Sequence, residues 1–332
     1  MAAPTMAFQT YQALGNREDL EDVIYQISPV ETPFLTMCER VTAKSVLHEW
    51  QTDSLSAAAA NKQVEGDDAA GDTSVPTVRM ANYCQTSRKY AVVTDVQQAV
   101  DHAGRGSEMS YQIAKRLGEL KRDMELALIQ NQGSSAGSAT VARSSASVEA
   151  WLTNPTGAAT VGNSTSIGTA GGYTTPGFAS GSLGTIIAPS DSSLTTVCTV
   201  APLKAVIAAC WTAGGNPGII MCGGSQKQTI SGFAGIATLY REAGSTSKGT
   251  AIVGAADLYI SDFGEHRIVP NRFSRNRTIL VLDMDYWAVA YLEKVSQKPV
   301  ARTGSAEKKL IDTTFCLVAR NPSSSGKIEG CT

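Results

Sequence analysis

The most informative stretch of the chain is residues 107–130, which read SEMSYQIAKRLGELKRDMELALIQ. Its apolar residues recur every three or four positions, which places them on one face of an α-helix. These residues are Met109, Ile113, Leu117, Leu120, Met124 and Leu128. Lys121 and Glu125 are one turn apart and are predicted to support the helix as an ion pair. A helix of about 24 residues is a rod about 36 Å long, which is unusual in a globular domain.

The residues at the start of the chain have the character of an arm. Residues 1–42 carry little local apolar surface, although Asn16 is predicted to cap a short helix that ends at Ile24. Pro29 and Pro33 are predicted to keep the rest of the arm extended. We therefore expect the arm to lie on a neighbouring molecule.

Residues 43–95 read as a long two-stranded hairpin. The side chains alternate with the period of a strand over 46–52, and a returning limb runs over 78–93. The connection between the limbs is small and acidic, and its carboxylates are Glu65, Asp67 and Asp68. A hairpin of this length is marginally stable alone and needs a surface to lie on.

A region rich in Gly, Ser and Thr, residues 134–193, follows the helical region 96–133. Only 148–152 and 183–187 within it are predicted to be ordered, and we interpret the whole as a surface loop or an insertion.

A compact body is predicted for residues 194–265, followed by returning strands in residues 266–332. Pro202 suits a first helical position, and the helix is predicted to bury one face. That face consists of Leu203, Val206, Ile207, Cys210 and Trp211. Helices and strands mix without a regular βαβ repeat, which predicts an α+β fold class.

Composition argues against several classes of protein. Charged residues make up 17% of the 332 residues, and the net charge is −2. Proteins that bind nucleic acid tightly usually carry more basic than acidic residues, so we expect at most weak, non-specific contact with DNA. The N-terminus does not read as a secretory signal, and no stretch approaches the roughly 18 apolar residues of a membrane span.

Residue types that often carry chemistry are present without the spacing that chemistry needs. The histidines, His48, His102 and His266, are far apart, so neither a metal centre nor a Ser-His-Asp triad is expected. Asp283-Met284-Asp285 offers paired carboxylates to a divalent ion, but a turn between two strands explains it better. We predict no catalytic residues, no cofactor and no metal ion.

The seven cysteines are odd in number and never spaced as C-x-x-C, which indicates reduced thiols. One alternative stays open, a hydrolase that uses Cys198, Cys210 or Cys222 as its nucleophile. Cys210 falls on the predicted apolar helix face, which favours a small buried hydrophobe instead.

Arginines cluster around Asn271 and Phe273, and they are Arg267, Arg272, Arg275 and Arg277. Contact with nucleic acid is one interpretation, because arginine beside an aromatic ring suits backbone and base. The other is an ion-pair patch between subunits, with the acidic hairpin tip of a neighbour as its partner. The near-neutral net charge favours the second. The predicted inter-subunit contacts are therefore Glu65, Asp67, Asp68, Arg272, Arg275 and Arg277.

The order of these segments resembles the Hong Kong 97 type capsid fold of tailed bacteriophages. There the segments are called the N-arm, the E-loop, the peripheral domain with its long spine helix, and the axial domain. Short motifs between about residues 10 and 321 are similar to one capsid family of that fold. They are GNREDL (15–20), ISP (27–29), TPF (32–34), HEWQTD (48–53), EGDD (65–68), ELKRDME (119–125), WTAGG (211–215), SGF (231–233) and SDFGEH (261–266).

The resemblance implies a major capsid protein that self-assembles into hexamers and pentamers around packaged double-stranded DNA. It implies a place in the virion, assembly in the bacterial host cytoplasm and no enzymatic activity. The further partners that it implies are a portal, decoration proteins and either a separate scaffold or none. Another virion structural protein, for decoration or for the tail, is the alternative.

Overall fold

A computed structural model describes residues 30–53, 55–56, 58–66, 77–101, 104, 106–152, 165–167, 178–179, 182–183, 186–188, 198–233 and 257–331. The helices are α1 Pro33–Met37, α2 Asp95–Ala99, α3 Glu108–Ile129, α4 Val148–Trp151, α5 Val200–Thr212 and α6 Gly224–Ser231. The strands are β1 Glu39–Thr42, β2 Leu47–Thr52, β3 Val78–Tyr83, β4 Gln85–Thr94, β5 Thr165–Ile167, β6 Phe178–Ala179, β7 Ser182–Leu183, β8 Ile219–Cys222, β9 Leu258–Ser261, β10 Gly264–Pro270, β11 Ile279–Leu282, β12 Trp287–Val300, β13 Ala306–Ala319 and β14 Gly326–Ile328. Short 3₁₀ turns occupy Met284–Tyr286 and Pro322–Ser324. The α+β prediction is confirmed.

Two sheets make up the body. A four-stranded sheet has the order β1-β12-β13-β4, with β1 parallel to β12 and the other pairs antiparallel. A six-stranded sheet has the order β5-β14-β11-β8-β10-β9, in which only β8 and β10 are parallel neighbours. Strands β2 and β3 pair only with each other, as a ribbon. The ribbon is therefore an outgrowth of the body rather than part of either sheet.

The main core lies where the two sheets meet α1, α3 and α4. Trp151 and Trp287 are both fully buried there, and the ring of Phe34 meets Trp287 edge-on at 6.5 Å. A second core lies between α5 and the six-stranded sheet, built on residues such as Leu203 and Ile207. Burying large aromatic side chains contributes strongly to stability, so the junction of the sheets is expected to be rigid.

The long helix α3 is confirmed almost to the residue. Ser107 caps it by accepting a hydrogen bond from the backbone N–H of Ser110. The predicted apolar stripe faces inward, with Leu120 and Met124 fully or almost fully buried. The predicted ion pair of Lys121 with Glu125 is wrong, because Glu125 is completely buried and turns its carboxylate into the body.

The last part of the predicted arm belongs to the body. Pro33 begins α1 instead of extending the chain, since a proline at a first helical position has no N–H to leave unsatisfied. Phe34 is fully buried, and residues 39–42 pair with β12. The boundary predicted at residue 42 therefore differs from the structure. Residues 1–29, with the predicted helix from Asn16 to Ile24, lie outside the described residues.

The predicted hairpin is shorter than expected. Its limbs are β2 and β3, whose register joins Leu47 to Tyr83 and Thr52 to Val78. The continuation, residues 85–94, is a body strand that pairs with β13. The strand pattern carries on through Cys84 without a turn signal, so alternation alone did not show where one sheet ends and the other begins.

The Gly- and Ser-rich region is not simply a surface insertion. The ordered helix predicted at 148–152 is present, and Ser147 caps it. Residues 145–152 are nearly all fully buried, and so is Ile186. Small residues here allow a loop to pack inside the core, so the surface prediction is wrong for this part.

Helix α5 buries the predicted face with one exception. Leu203, Val206, Ile207 and Cys210 are buried, but 58% of the Trp211 surface is exposed. The Trp211 ring instead lies 5.2 Å from that of Phe263 on the outside of the body. The helix also begins two residues before Pro202, within the first turn that tolerates proline.

Candidate assembly surfaces

The part of the β2–β3 ribbon next to the body, which we call its root, is held there by hydrogen bonds and aromatic packing. The indole N–H of Trp50 donates to the carbonyl of Ala319 at 3.1 Å, and its ring lies 5.6 Å from that of Trp151. Asn82 on the opposite strand is fully buried and donates to the carbonyl of Leu317 at 2.7 Å. Its side-chain oxygen accepts the backbone N–H of Ala146 at 3.0 Å. The body therefore fixes the direction in which the ribbon leaves it.

Beyond this root the body does not cover the described residues of the connection. Every described residue from Asp53 to Thr77 is exposed. Leu55 is 98% exposed and Val64 is 77% exposed, although both are apolar. Of the acidic tip, Glu65 is exposed, whereas Asp67 and Asp68 lie outside the described residues. The connection thus presents apolar surface beside negative charge.

The basic cluster is only partly available to a neighbour. Arg272 is exposed, but the Arg275 guanidinium donates to the buried Glu149 carboxylate of its own chain at 2.6 Å. Arg277 is half-buried. The ring of Phe273 is covered by the Arg122 guanidinium, 5.7 Å from its centroid. Phe273 is therefore already stacked within the chain, which weakens the nucleic-acid interpretation.

Glu149 belongs to a group of buried charges that joins distant parts of the chain. The fully buried Lys327 donates to the carbonyl oxygen of Glu149 at 2.9 Å and pairs with the buried Glu329. Burial raises the pKa of Glu149, while Arg275 and Lys327 oppose that shift. Breaking a buried ion pair leaves an uncompensated charge, so these contacts hold α4 firmly against β14.

Glu125 is the residue that the sequence reasoning missed. Its two carboxylate oxygens accept the backbone N–H groups of Phe34 at 2.9 Å and Leu35 at 2.8 Å. Asn271 donates to the same carboxylate at 2.6 Å. Burial raises the pKa of Glu125, and these three hydrogen bonds oppose the rise. One signal was available, since the buried Ile129 follows Glu125 by four residues and widens the apolar face.

The residues considered for chemistry are placed for structural roles. His266 hydrogen-bonds Ser261 at 2.7 Å and the carbonyl of Pro217, as an ordinary strand histidine does. Asp283 accepts the backbone N–H of Asn216 and precedes the 3₁₀ turn between β11 and β12, as the turn interpretation predicted. Among the described residues, no group of His, Cys, Asp and Glu is arranged to hold a metal ion. In the same ranges no helix is both long enough and apolar enough to cross a membrane.

The thiols proposed for a hydrolase are buried. Burial raises the pKa of Cys210 to about 12 and that of Cys222 to about 11. A hydrogen bond between Cys198 and Cys331 lowers the pKa of Cys198 and raises that of Cys331. A catalytic thiol must be reachable and ionised, and buried thiols of raised pKa are inert.

Comparison with known families decides what this architecture belongs to. A model described as "SU10 major capsid protein" matches residues 3–332. The chain belongs to the SU10 major capsid protein family. It is also 35% identical over 133 residues to a major capsid protein of Escherichia phage Phieco32. That match covers 40% of this chain and 38% of the relative, so it spans well under half of the curated relative's length.

Solved structures share the fold at low sequence identity. The capsid asymmetric unit of cyanophage A-1(L) has a TM-score of 0.64, with 14% identity over 98% of each chain. That of cyanophage Pam1 has a TM-score of 0.59, with 12% identity over 99% of this chain and 100% of that one. The SrpI encapsulin of Synechococcus elongatus PCC 7942 has a TM-score of 0.54, with 10% identity over 98% of this chain and 96% of that one. The fold extends beyond phages, so the family match carries the assignment.

The family and the fold together give this SU10-type chain its place as a major capsid protein of a phage head shell. The predicted Hong Kong 97 type fold is confirmed. In the terms of that fold, we call α3 the spine helix and the connection between β2 and β3 the E-loop. This membership indicates a structural protein of the virion.

Proposed function

We propose that copies of this chain assemble into hexamers and pentamers that close around double-stranded DNA. In this shell, residues 53–77 of each copy lie on a neighbouring copy. The observation that carries the proposal is the exposure of every described residue of that connection, Leu55 and Val64 included.

The energetics favour a neighbour as the support for the E-loop. A two-stranded ribbon is marginal by itself, and the body anchors only its root. Removing one aliphatic side chain from water contributes about 1.5–3 kcal/mol. Leu55 and Val64 gain this only when another surface covers them. The same gain is repeated for each copy in the shell.

Charge supplies a second reason for this arrangement. Glu65, with Asp67 and Asp68 beside it in sequence, gives the tip a negative charge. We propose that the tip pairs with the exposed Arg272 of a neighbour, and with Arg277 as a weaker candidate. Arg275 is no longer part of this patch, because Glu149 of its own chain holds it. Single exposed pairs contribute about 0–1 kcal/mol, so their role is to fix register.

The chain acts as a building block without catalytic activity, assembles in the bacterial host cytoplasm and remains in the virion. A separate scaffold, a portal and decoration proteins are its further partners. A net charge of −2 supports only weak, non-specific contact with the packaged DNA.

An apolar-to-polar substitution in the E-loop tests the proposal. A variant with Leu55→Ser and Val64→Ser is expected to remain folded but to lose most shells in negative-stain images and in sedimentation. The matched control is Val141→Ser, because Val141 is 58% exposed on a loop of the body. The control is expected to assemble as the wild type does. Full assembly of the E-loop variant, or a wild-type protein that stays monomeric at all concentrations, contradicts the proposal.

A further inference from the structure

A groove runs along the outside of the spine helix α3. It has a volume of about 510 Å³ and is bounded by α3, β1 and β12. Apolar side chains form its floor, among them Leu117 and Met124 from α3 and Tyr291 and Val295 from β12. Val295 is 38% exposed, so part of this floor faces water. An apolar groove of this kind is suited to the apolar face of a helix.

The rim of the groove is positively charged. Among the described residues, Arg40, Lys121 and Lys294 line it and no carboxylate does. All three are exposed, and none of them forms an ion pair with another described residue. The groove therefore favours an occupant that is apolar on one side and negative around it.

One segment of this chain has that composition. Residues 17–24 read REDLEDVI, in which four carboxylates and one arginine give a net charge of −3. Asn16 is predicted to begin a helix here, and on a helix Leu20, Val23 and Ile24 share one face. The acidic residues then flank that face. Both the apolar floor and the cationic rim have their complement in this segment.

The described part of the arm runs along α3 toward the end of the groove nearest the helix N-terminus. The backbone N–H of Phe34 donates a hydrogen bond to Glu125. Val30 packs closely on Gly118 of the same helix, since a Cβ added to that glycine would lie 3.4 Å from the Val30 side chain. Going back from residue 34 to 30, the chain thus moves along α3 by about 10 Å toward the helix N-terminus. The groove ends at the level of Leu117, so residue 30 has already reached that end. To fill the groove of their own copy, residues 16–24 would have to turn back within the five residues 25–29.

We propose that residues 16–24 of a second copy bind in this groove as an amphipathic helix. The apolar face of the segment covers the floor, and its carboxylates meet the cationic rim. The inference rests on the proposed assembly of copies into a shell, and it gives the N-arm a defined docking site. In this arrangement the arm of one copy binds beside the spine helix of another.

Cross-linking between two single-site variants tests which copy supplies the segment. One variant carries Leu20→Cys and the other carries Val295→Cys, and both are co-assembled and treated with a thiol-specific bismaleimide. The native cysteines are buried, so wild-type shells serve as the background. The expected result is a covalent dimer on a denaturing gel only from shells that contain both variants.

Each other outcome is decisive. If shells are seen by microscopy but mixed shells give no dimer, the docking site is wrong and the proposed function stands. A link found only within one chain of a Leu20→Cys, Val295→Cys double variant also overturns the inference, because the arm then fills its own groove. Absence of shells from the wild-type protein counts against the proposed function itself.

A charge-reversal series keeps the test valid if a cysteine variant folds poorly. Lys121→Glu combined with Lys294→Glu is expected to lower the yield of cross-linked arm at least about tenfold, as the loss of several complementary charges predicts. The control is Lys115→Glu, which changes an exposed lysine of α3 outside the groove. Reversal of Asp19 and Asp22 to Lys in the same chain is expected to restore the cross-link. If Lys115→Glu lowers the yield of cross-linked arm as much as the groove variant does, the proposal is overturned.

Discussion

The Glu125 carboxylate accepts a hydrogen bond of 2.9 Å from the backbone N–H of Phe34, although 91 positions separate the two residues. The first N–H groups of a helix have no acceptor within it, and the Thr32 side chain makes no capping hydrogen bond to α1. Glu125 supplies the missing acceptor from the middle of the spine helix. This contact marks where the arm becomes part of the body.

Replacing Glu125 with Gln is expected to destabilise the monomer by about 1–3 kcal/mol at neutral pH, because a buried donor is left unsatisfied. The amide has one acceptor oxygen and turns its NH2 group toward one of the two N–H donors. Glu119→Gln on the same helix is the control, since Glu119 makes a partly exposed pair with Arg116. Urea denaturation measures both. Equal stability of the two variants contradicts this role for Glu125.

The pH dependence of that difference has a defined sign. Burial raises the pKa of Glu125 above the ordinary carboxyl value of 4.5, so the folded state binds the proton more tightly than the unfolded state. The stability that protonation adds is therefore present below pH 4.5 and is lost as pH rises through the raised pKa. The advantage of wild type over Glu125→Gln should shrink as pH increases. An advantage that grows with pH counts against the raised pKa.

Asn82→Ala is expected to loosen the root of the E-loop and to destabilise the protein by about 2–4 kcal/mol, because buried polar partners lose their hydrogen bonds. The substitution leaves the carbonyl of Leu317 and the N–H of Ala146 without their partner on the ribbon. Asn61→Ala, in the exposed connection, is the matched control and should be neutral. Hydrogen exchange of residues 47–52 and 78–83 reports the loosening. Unchanged protection of the ribbon in Asn82→Ala speaks against a fastened root.

Local patterns predicted the elements well and their partners poorly. Helix α3 was found to within one residue at each end, because its periodicity is strong and its cap is local. Cys84 shows the limit, since the chain there passes from the ribbon into the four-stranded sheet with no change in alternation. Which strand pairs with which is set by contacts across hundreds of residues.

The same contrast between local features and long-range contacts holds for the candidate assembly surfaces. The acidic character of the tip follows from composition, and the structure adds that Glu65, Leu55 and Val64 are exposed. The pairing of Arg275 with Glu149 joins residues 126 positions apart and removes one arginine from the predicted patch. Nothing in the flanking sequence of Arg275 distinguishes it from Arg272.

Lys327→Met is expected to destabilise the body by about 3–5 kcal/mol, because it removes the buried cation that pairs with the Glu329 carboxylate. Lys327 also donates to the backbone carbonyl of the buried Glu149, so the substitution removes a contact between β14 and α4 as well. The control is Lys62→Met in the exposed connection. Thermal and urea denaturation of the monomer measure the effect. A Lys327→Met protein as stable as the control shows that these charges do not hold α4 to β14.

Charge reversal of the E-loop tip tests the proposed contact with Arg272. Glu65, Asp67 and Asp68 changed together to Lys should impair shell assembly while the monomer unfolds as the wild type does. Arg272→Glu alone should do the same, since either change places like charges together. Combining the two sets is expected to recover assembly, as only a direct contact does. Assembly that is unaffected by either reversal excludes an electrostatic role for the tip.

Assembly through the E-loop is tested most directly by an electron cryomicroscopy map of assembled particles, traced from one copy to the next. Residues 53–77 of each copy are expected to lie across an adjacent copy, with Leu55 and Val64 covered by it. A shell in which that connection folds back onto its own body and touches no other copy would rule out assembly through the E-loop.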